Sequence, residues 1–165
     1  MAEAAADEKT AAILNATDPD LSRFKSRGGK LILYHGWNDP AISPVNTINY
    51  YYSVVAKMGA ENTAGFVRFY MVPGMQHCLF GPGPNWFGQT GHPTAKSKPY
   101  GVFDGLEEWV EKGTAPGDIF ATKYVEDDPT KGVQMTRPLC PYPQIAKYKG
   151  SGDTNDAANF VCRAP

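Results

Sequence analysis

The sequence predicts an α/β fold: strands and helices of a parallel sheet, followed by an irregular tail clamped by a disulfide. Three observations carry this prediction. Two short apolar runs, Lys30–His35 and Phe66–Val72, flank a segment with helical spacing. Strand, helix, strand in that order is the crossover unit of a parallel sheet. Each run ends in a loop of turn residues, Gly36-Trp37-Asn38-Asp39-Pro40 and Pro73-Gly74-Met75-Gln76-His77-Cys78. The C-terminal stretch is rich in Pro and Gly and holds Cys140 and Cys162.

Each element follows from local chemistry. Ala4 to Leu14 has helix-forming composition, and Asn15-Ala16-Thr17-Asp18-Pro19-Asp20 ends it with turn residues. Asp20-Leu21-Ser22-Arg23-Phe24 starts one more helical turn, and Gly28-Gly29 breaks the chain. The continuous apolar run to His35 reads as a strand buried on both faces. Ser43 is a candidate N-cap and Pro44 suits the first helical position. Val45, Ile48, Tyr52 and Val55 recur at helical spacing as one buried face, and Gly59 terminates the helix. From Gly81 to Pro99 the chain is Gly/Pro-rich and too long for a plain connector, so it wraps the surface or shapes a pocket. Phe103, Leu106, Trp109 and Val110 form a second helical face, closed by Gly113. Ile119–Val125 and Val133–Leu139 read as strands joined by the Asp127–Gly132 turn. The tail reads as irregular, with one helical turn near Asn155–Val161. The organisation expected is a single domain over 1–165: a helical lead-in (1–28), the strand-helix-strand-helix unit (29–113), and a hairpin with a disulfide tail (114–165).

A chain of 165 residues, 42% hydrophobic and with a net charge of −1, has enough apolar material for a core and no field to gather nucleic acid or anionic lipid. No apolar run approaches the length of a membrane span, and Met1-Ala2-Glu3-Ala4-Ala5-Ala6-Asp7 lacks the basic start and apolar stretch of a signal peptide. Three cysteines leave one over. Cys140 and Cys162 read as a disulfide across the helix-poor tail, with two buried free thiols as the alternative. A disulfide implies an oxidising compartment, so a secreted or periplasmic parent protein. Cys78, beside a candidate catalytic histidine, looks for a partner elsewhere.

The chemistry lies in Asp39 and His77. Functional residues of an open parallel sheet gather beyond the carboxyl ends of its strands, and these two satisfy that rule on neighbouring loops. An acid followed by a histidine in this arrangement is the second half of a Ser–Asp–His relay. His77 would take a proton from a nucleophilic hydroxyl, and Asp39 would fix its tautomer. The plain alternatives are a structural histidine and an ordinary Asn-Asp-Pro turn. His35 reads as a satisfied histidine supporting the loop, and His92 as a loop residue. No His-x-x-x-His, Cys-x-x-Cys or carboxylate cluster points to a metal, and no Gly-rich phosphate loop points to a cofactor. None of Ser22, Ser26, Ser43, Ser53, Ser97 and Ser151 lies in a Gly-x-Ser-x-Gly elbow. Trp37, Trp86 and Phe87 are candidates for an aromatic pocket, with core packing as the alternative.

The run Ile13–Leu21, the run Gly29–Pro40 and the motif Pro73-Gly74-Met75-Gln76-His77-Cys78 resemble the tannase/feruloyl esterase family. So does the tail, Arg137-Pro138-Leu139-Cys140-Pro141-Tyr142-Pro143 through Phe160-Val161-Cys162. The resemblance covers about Ala11 to Cys162. It implies an α/β-hydrolase fold, of which this chain supplies C-terminal strands and helices, and hydrolysis of small aromatic esters of the hydroxybenzoate or hydroxycinnamate kind. It implies that Asp39 is the triad acid and His77 the base. It further implies that Cys78 bonds to a cysteine just before the nucleophilic serine, outside this chain, and that Cys140 pairs with Cys162. Family members are much longer: an N-terminal part brings the serine and the oxyanion donors, and an inserted lid holds a calcium ion. This chain therefore resembles the C-terminal segment of such an enzyme, expected to be inactive alone, with that N-terminal part as its partner. Two other readings stand beside it. One is a compact esterase whose site is completed in a homo-oligomer through an exposed sheet edge. The other is a non-catalytic module that binds aromatic ligands.

Overall fold

The structure, a computed structural model, describes residues 9–11, 13–89 and 101–165. His92, Ser97 and most of the later half of the Gly/Pro-rich loop lie outside the described residues. Residues 9–11 and 13–14 are helical, followed by α1 (Ser22–Ser26), β1 (Leu31–Gly36), α2 (Pro44–Met58), the short α3 (Ala60–Ala64) and β2 (Val67–Val72). After the loop come α4 (Val102–Lys112), β3 (Ile119–Tyr124), β4 (Val133–Leu139), β5 (Ile145–Tyr148) and β6 (Phe160–Arg163). No helix among the described residues is long and apolar enough to cross a membrane.

β1 and β2 pair in parallel, Leu31 opposite Val67 through Gly36 opposite Val72, as strand-helix-strand requires. Strand alternation then assigns their faces. Ile32, Tyr34, Tyr70 and Val72 turn toward a core completed by Met75, Phe87, Val102, Ile119, Ala121 and Leu139. Phe69 turns the other way and meets Tyr51 of α2, ring centroids 5.3 Å apart. Of this pair, β2 is the strand buried on both faces. β1 is half-buried up to Gly36, contrary to the sequence expectation, because β2 is its one neighbour in the sheet among the described residues. The far edge of β2 is covered where the Tyr142 N–H donates to the Phe69 carbonyl at 2.7 Å.

Both helices keep part of their expected faces and lose part. In α2, Ile48 and Val55 are half-buried as expected, but Val45 and Tyr52 are exposed, and Thr47, Tyr51, Val54 and Met58 join the inward stripe. In α4, Trp109 is buried and Leu106 half-buried as expected, but Phe103 and Val110 are exposed, and Val102 and Gly105 turn inward in their place. Gly105 is the reason in α4. A β-carbon there would meet the Pro116 side chain at 3.2 Å, so the smallest residue marks the closest approach. Ser43 precedes α2 without a side-chain capping bond, Pro44 begins the helix, and Gly59 ends it.

β3 and β4 form the expected antiparallel hairpin, with every residue of β3 buried. The tail is not irregular, which corrects the expectation. β5 and β6 pair antiparallel, Ile145 opposite Arg163, with a single 3-10 turn, Ala157–Asn159, before β6. Their alternation was too short to stand out among Pro and Gly. The strands beyond β2 are thus antiparallel pairs, so among the described residues the parallel arrangement is confined to β1 and β2. Cys140 and Cys162 are disulfide-bonded, fastening β6 to the end of β4.

Candidate active site

Backbone hydrogen bonds sew the loops after β1 and β2 together. Trp37 N–H donates to the Val72 carbonyl at 3.0 Å, and Asn38 N–H donates to the Met75 carbonyl at 3.0 Å. Met75 is 1% exposed and anchors the second loop in the core. This stitching brings the next residues of both loops face to face. His77 Nδ1 lies 2.9 Å from Asp39 Oδ2.

Asp39 is held on all sides. Oδ1 accepts from the N–H groups of Ala41 (2.8 Å) and Ile42 (2.9 Å), the Asx turn that Asn-Asp-Pro favours. Oδ2 faces both His77 Nδ1 and His35 Nε2, the latter at 3.3 Å. The Ile42 N–H, with His77 and the Ala41 N–H adding to it, holds the carboxyl down to about 2 against the opposing effect of burial. Asp39 is therefore an anion at neutral pH although its side chain is only 4% exposed. An anionic Oδ2 can only accept, so Nδ1 of His77 carries the proton and Nε2 is left as the basic nitrogen of the neutral ring. The His77 side chain is 55% exposed.

His35 is satisfied at both nitrogens. Nε2 lies 3.1 Å from the Ile42 carbonyl, which only accepts, so Nε2 carries the proton. Nδ1 then accepts from the Thr47 hydroxyl at 2.7 Å. His35 thus braces the Asp39 loop against α2, as the sequence reading expected. Thr47 escaped that reading because an isolated Thr inside a helix gives no signal of its own.

Cys78 is exposed and unpaired, with a left-handed backbone (φ +64°). With Tyr34, Met75 and His77 it lines a small cavity of about 100 Å³ beside the acid–histidine pair. Among the described residues no hydroxyl hydrogen-bonds His77. Ser22 bonds to Asp20, Ser26 to the Arg23 carbonyl and Ser53 to the Tyr50 carbonyl. Among the described residues no group of three or more His, Cys, Asp or Glu is placed to hold a metal ion.

A larger cavity, of about 510 Å³, shares Trp37, Pro73 and Gly74 of the stitched loops. Trp37, Pro73, Pro84, Arg137, Tyr142 and Phe160 are among its walls, whereas Asp39 and His77 are not. Of the three aromatic pocket candidates, only Trp37 lines it. Trp86 and Phe87 are 8% and 1% exposed and pack in the core, the alternative that the sequence left open for them. Phe87 packs edge-on against Tyr34 at 5.2 Å and Trp86 against Tyr124 at 5.6 Å. Their bulk inside a Gly/Pro-rich segment anchors that segment to β1 and β3.

The family model described as "Tannase and feruloyl esterase" matches residues 3–163. An uncharacterised esterase of Xanthomonas campestris pv. campestris is 45% identical over 95% of this chain and 30% of its own length. The mono(2-hydroxyethyl) terephthalate hydrolase of Piscinibacter sakaiensis is 46% identical over 91% of this chain and 22% of its own. Among solved structures, feruloyl esterase B from Aspergillus oryzae superimposes with a TM-score of 0.84 at 31% identity, covering 97% of this chain and 32% of that one. The chain therefore spans about a third or less of the length of these relatives.

Proposed function

Since the chain belongs to the tannase and feruloyl esterase family, we propose that it supplies the acid and the base of a carboxylic ester hydrolase acting through a Ser–Asp–His relay. The observation that carries this reading is the 2.9 Å contact between Asp39 and His77, with Asp39 ionised and multiply held. His77 Nε2 removes the proton of a serine hydroxyl as that oxygen attacks the ester carbonyl, and returns it to the departing alcohol. Asp39 keeps Nδ1 protonated and stabilises the imidazolium formed in between. The same cycle with water as the attacking group releases the acid.

The serine is proposed to come from outside these residues, preceded by a cysteine that bonds to Cys78. The exposed, unpaired thiol next to His77 supports that arrangement. β1 and β2 are then the last strands of an α/β-hydrolase sheet, with the free edge of β1 meeting the strands before it. Aromatic esters are the proposed substrates, supported by relatives named feruloyl esterase and terephthalate hydrolase. Esterase relatives and the disulfide together support a secreted protein.

The test is hydrolysis of methyl ferulate and a terephthalate monoester. The 165-residue chain alone is expected to turn over neither. A protein joining it to the serine-bearing segment is expected to hydrolyse at least one, and His77→Ala there is expected to lower kcat by roughly 10⁴-fold or more. Full activity in that His77→Ala protein would end the reading.

A further inference from the structure

We propose that Lys123 is a positioning residue for His77, acting through the loop between Cys78 and Gln89. This inference rests on the reading of His77 as the base, and it concerns what keeps that imidazole in place. The His77 loop has little regular structure, yet its aim must be held to a fraction of an ångström for proton transfer.

Strand alternation makes Lys123 unusual. Ile119 and Ala121 face the core, and Lys123 continues that inward side of β3 at 7% exposure. A buried ammonium is tolerated only when paired and hydrogen-bonded. Lys123 Nζ donates to the Gly81 carbonyl at 2.6 Å and ion-pairs with Asp127. Asp127 Oδ1 in turn accepts from Asn85 Nδ2 at 2.9 Å, and Asn85 is fully buried. The N–H groups of Asn85 and Trp86 both donate to the Thr122 carbonyl, at 3.1 and 3.0 Å. Glu126 and Asp127 adopt left-handed backbone (φ +54° and +57°), a costly conformation for residues with a β-carbon. The turn they form presents the Asp127 carboxylate to Lys123 and Asn85.

The chain of contact continues to the imidazole. Gly81 is packed so tightly that a β-carbon would fall 2.0 Å from the Gly74 carbonyl and 3.2 Å from the Gln76 nitrogen. The Gln76 N–H donates to the Phe80 carbonyl at 3.1 Å, closing the tight turn that contains His77. Gln89 spans the same loop from within, its Nε2 donating to the carbonyls of Asn85 and, at 3.4 Å, of Cys78. Lys123 thus clamps the turn from the hairpin side while Asp39 receives His77 from the β1 side.

NMR on the isotope-labelled 165-residue chain tests this without turnover. Two signals are read: hydrogen exchange of the Gln76 amide, and the His77 Nδ1 proton engaged with Asp39. In Lys123→Met, Gln76 exchange is expected to rise at least tenfold and the ring proton signal to broaden away. Lys123→Arg, which restores a buried donor, is expected to recover both. A folded Lys123→Met chain with both signals unchanged overturns the proposal. Where Lys123→Met does not fold, Asp127→Asn decides, since it keeps the acceptor oxygen and the volume but removes the charge. Changes in the same direction support the proposal, and unchanged signals overturn it. If the signals respond while His77→Ala leaves ester hydrolysis intact in the longer protein, the positioning stands and the hydrolase reading falls.

Discussion

Gly36 and Met75 meet so closely that a β-carbon on Gly36 would lie 2.2 Å from the Met75 carbonyl oxygen. This contact sets the spacing between the two loops that carry Asp39 and His77, and backbone rather than a flexible side chain occupies the space. Gly36→Ala must push the loops apart. The expected outcome is a loss of about 3 kcal/mol in urea unfolding, together with loss of the His77 Nδ1 proton signal.

Asp39 titrates well below its ordinary value of 3.8, at about 2 in the folded protein. Its carboxylate contacts therefore contribute stability that is fully present above about pH 4 and is lost as the pH falls toward 2. In that window the unfolded chain binds the proton first, so stability rises with pH. Asp39→Asn removes the titrating group. Its unfolding free energy is expected to vary less steeply than wild type between pH 4 and 2, as measured by denaturant titration at several pH values.

Thr47 satisfies His35 Nδ1 from α2. Thr47→Val keeps the shape of the side chain and deletes the donor, leaving a half-buried ring nitrogen unmatched. A loss of about 1 kcal/mol is expected. Faster amide exchange at Ala41 and Ile42, which donate to Asp39, is the accompanying signature.

The Cys140–Cys162 bond closes a separation of 22 residues. Chain-entropy arithmetic for a loop of that size gives about 3 kcal/mol. Cys140→Ser with Cys162→Ser is expected to lose about that much in thermal or urea unfolding.

Cys78 is exposed and free, while the other two cysteines are paired. A thiol reagent is expected to label one cysteine in the native chain and still only one in denaturant without reductant. Labelling of three under those conditions would show that the tail disulfide does not form.

The acid–histidine pair was legible because its determinants are local. A turn motif follows each of two adjacent parallel strands, and the geometry of the crossover does the rest. The helix faces were less legible. In α2 and α4 the apolar residues Val45, Tyr52, Phe103 and Val110 are exposed. What decides the inward face is a partner the local pattern does not contain: Phe69 and Tyr142 for Tyr51, and Pro116 for Gly105. Lys123 was invisible for the opposite reason. A lysine in a strand reads as solvent-facing until Gly81 and Asp127, 42 residues before it and four after, are brought to its ammonium. Short strands such as β5 and β6, four residues each, carry too few alternations to be recognised among Pro and Gly.

The hydrophobic nucleus ends at Leu139, whereas Tyr142, Ile145 and Phe160 wall the larger cavity. The main chain runs on from β4 into the tail, which is held further by the disulfide, by the Tyr142 N–H to Phe69 carbonyl bond at 2.7 Å, by the Ala157 N–H to Thr136 hydroxyl bond at 2.8 Å, and by the Arg137 guanidinium stacked 4.3 Å over Phe160. The cavity therefore has one wall rooted in the nucleus and another, around Phe160, fastened in part by a bond that a reductant can cut. A reducing environment would loosen that second wall while leaving Asp39 and His77 in their grip.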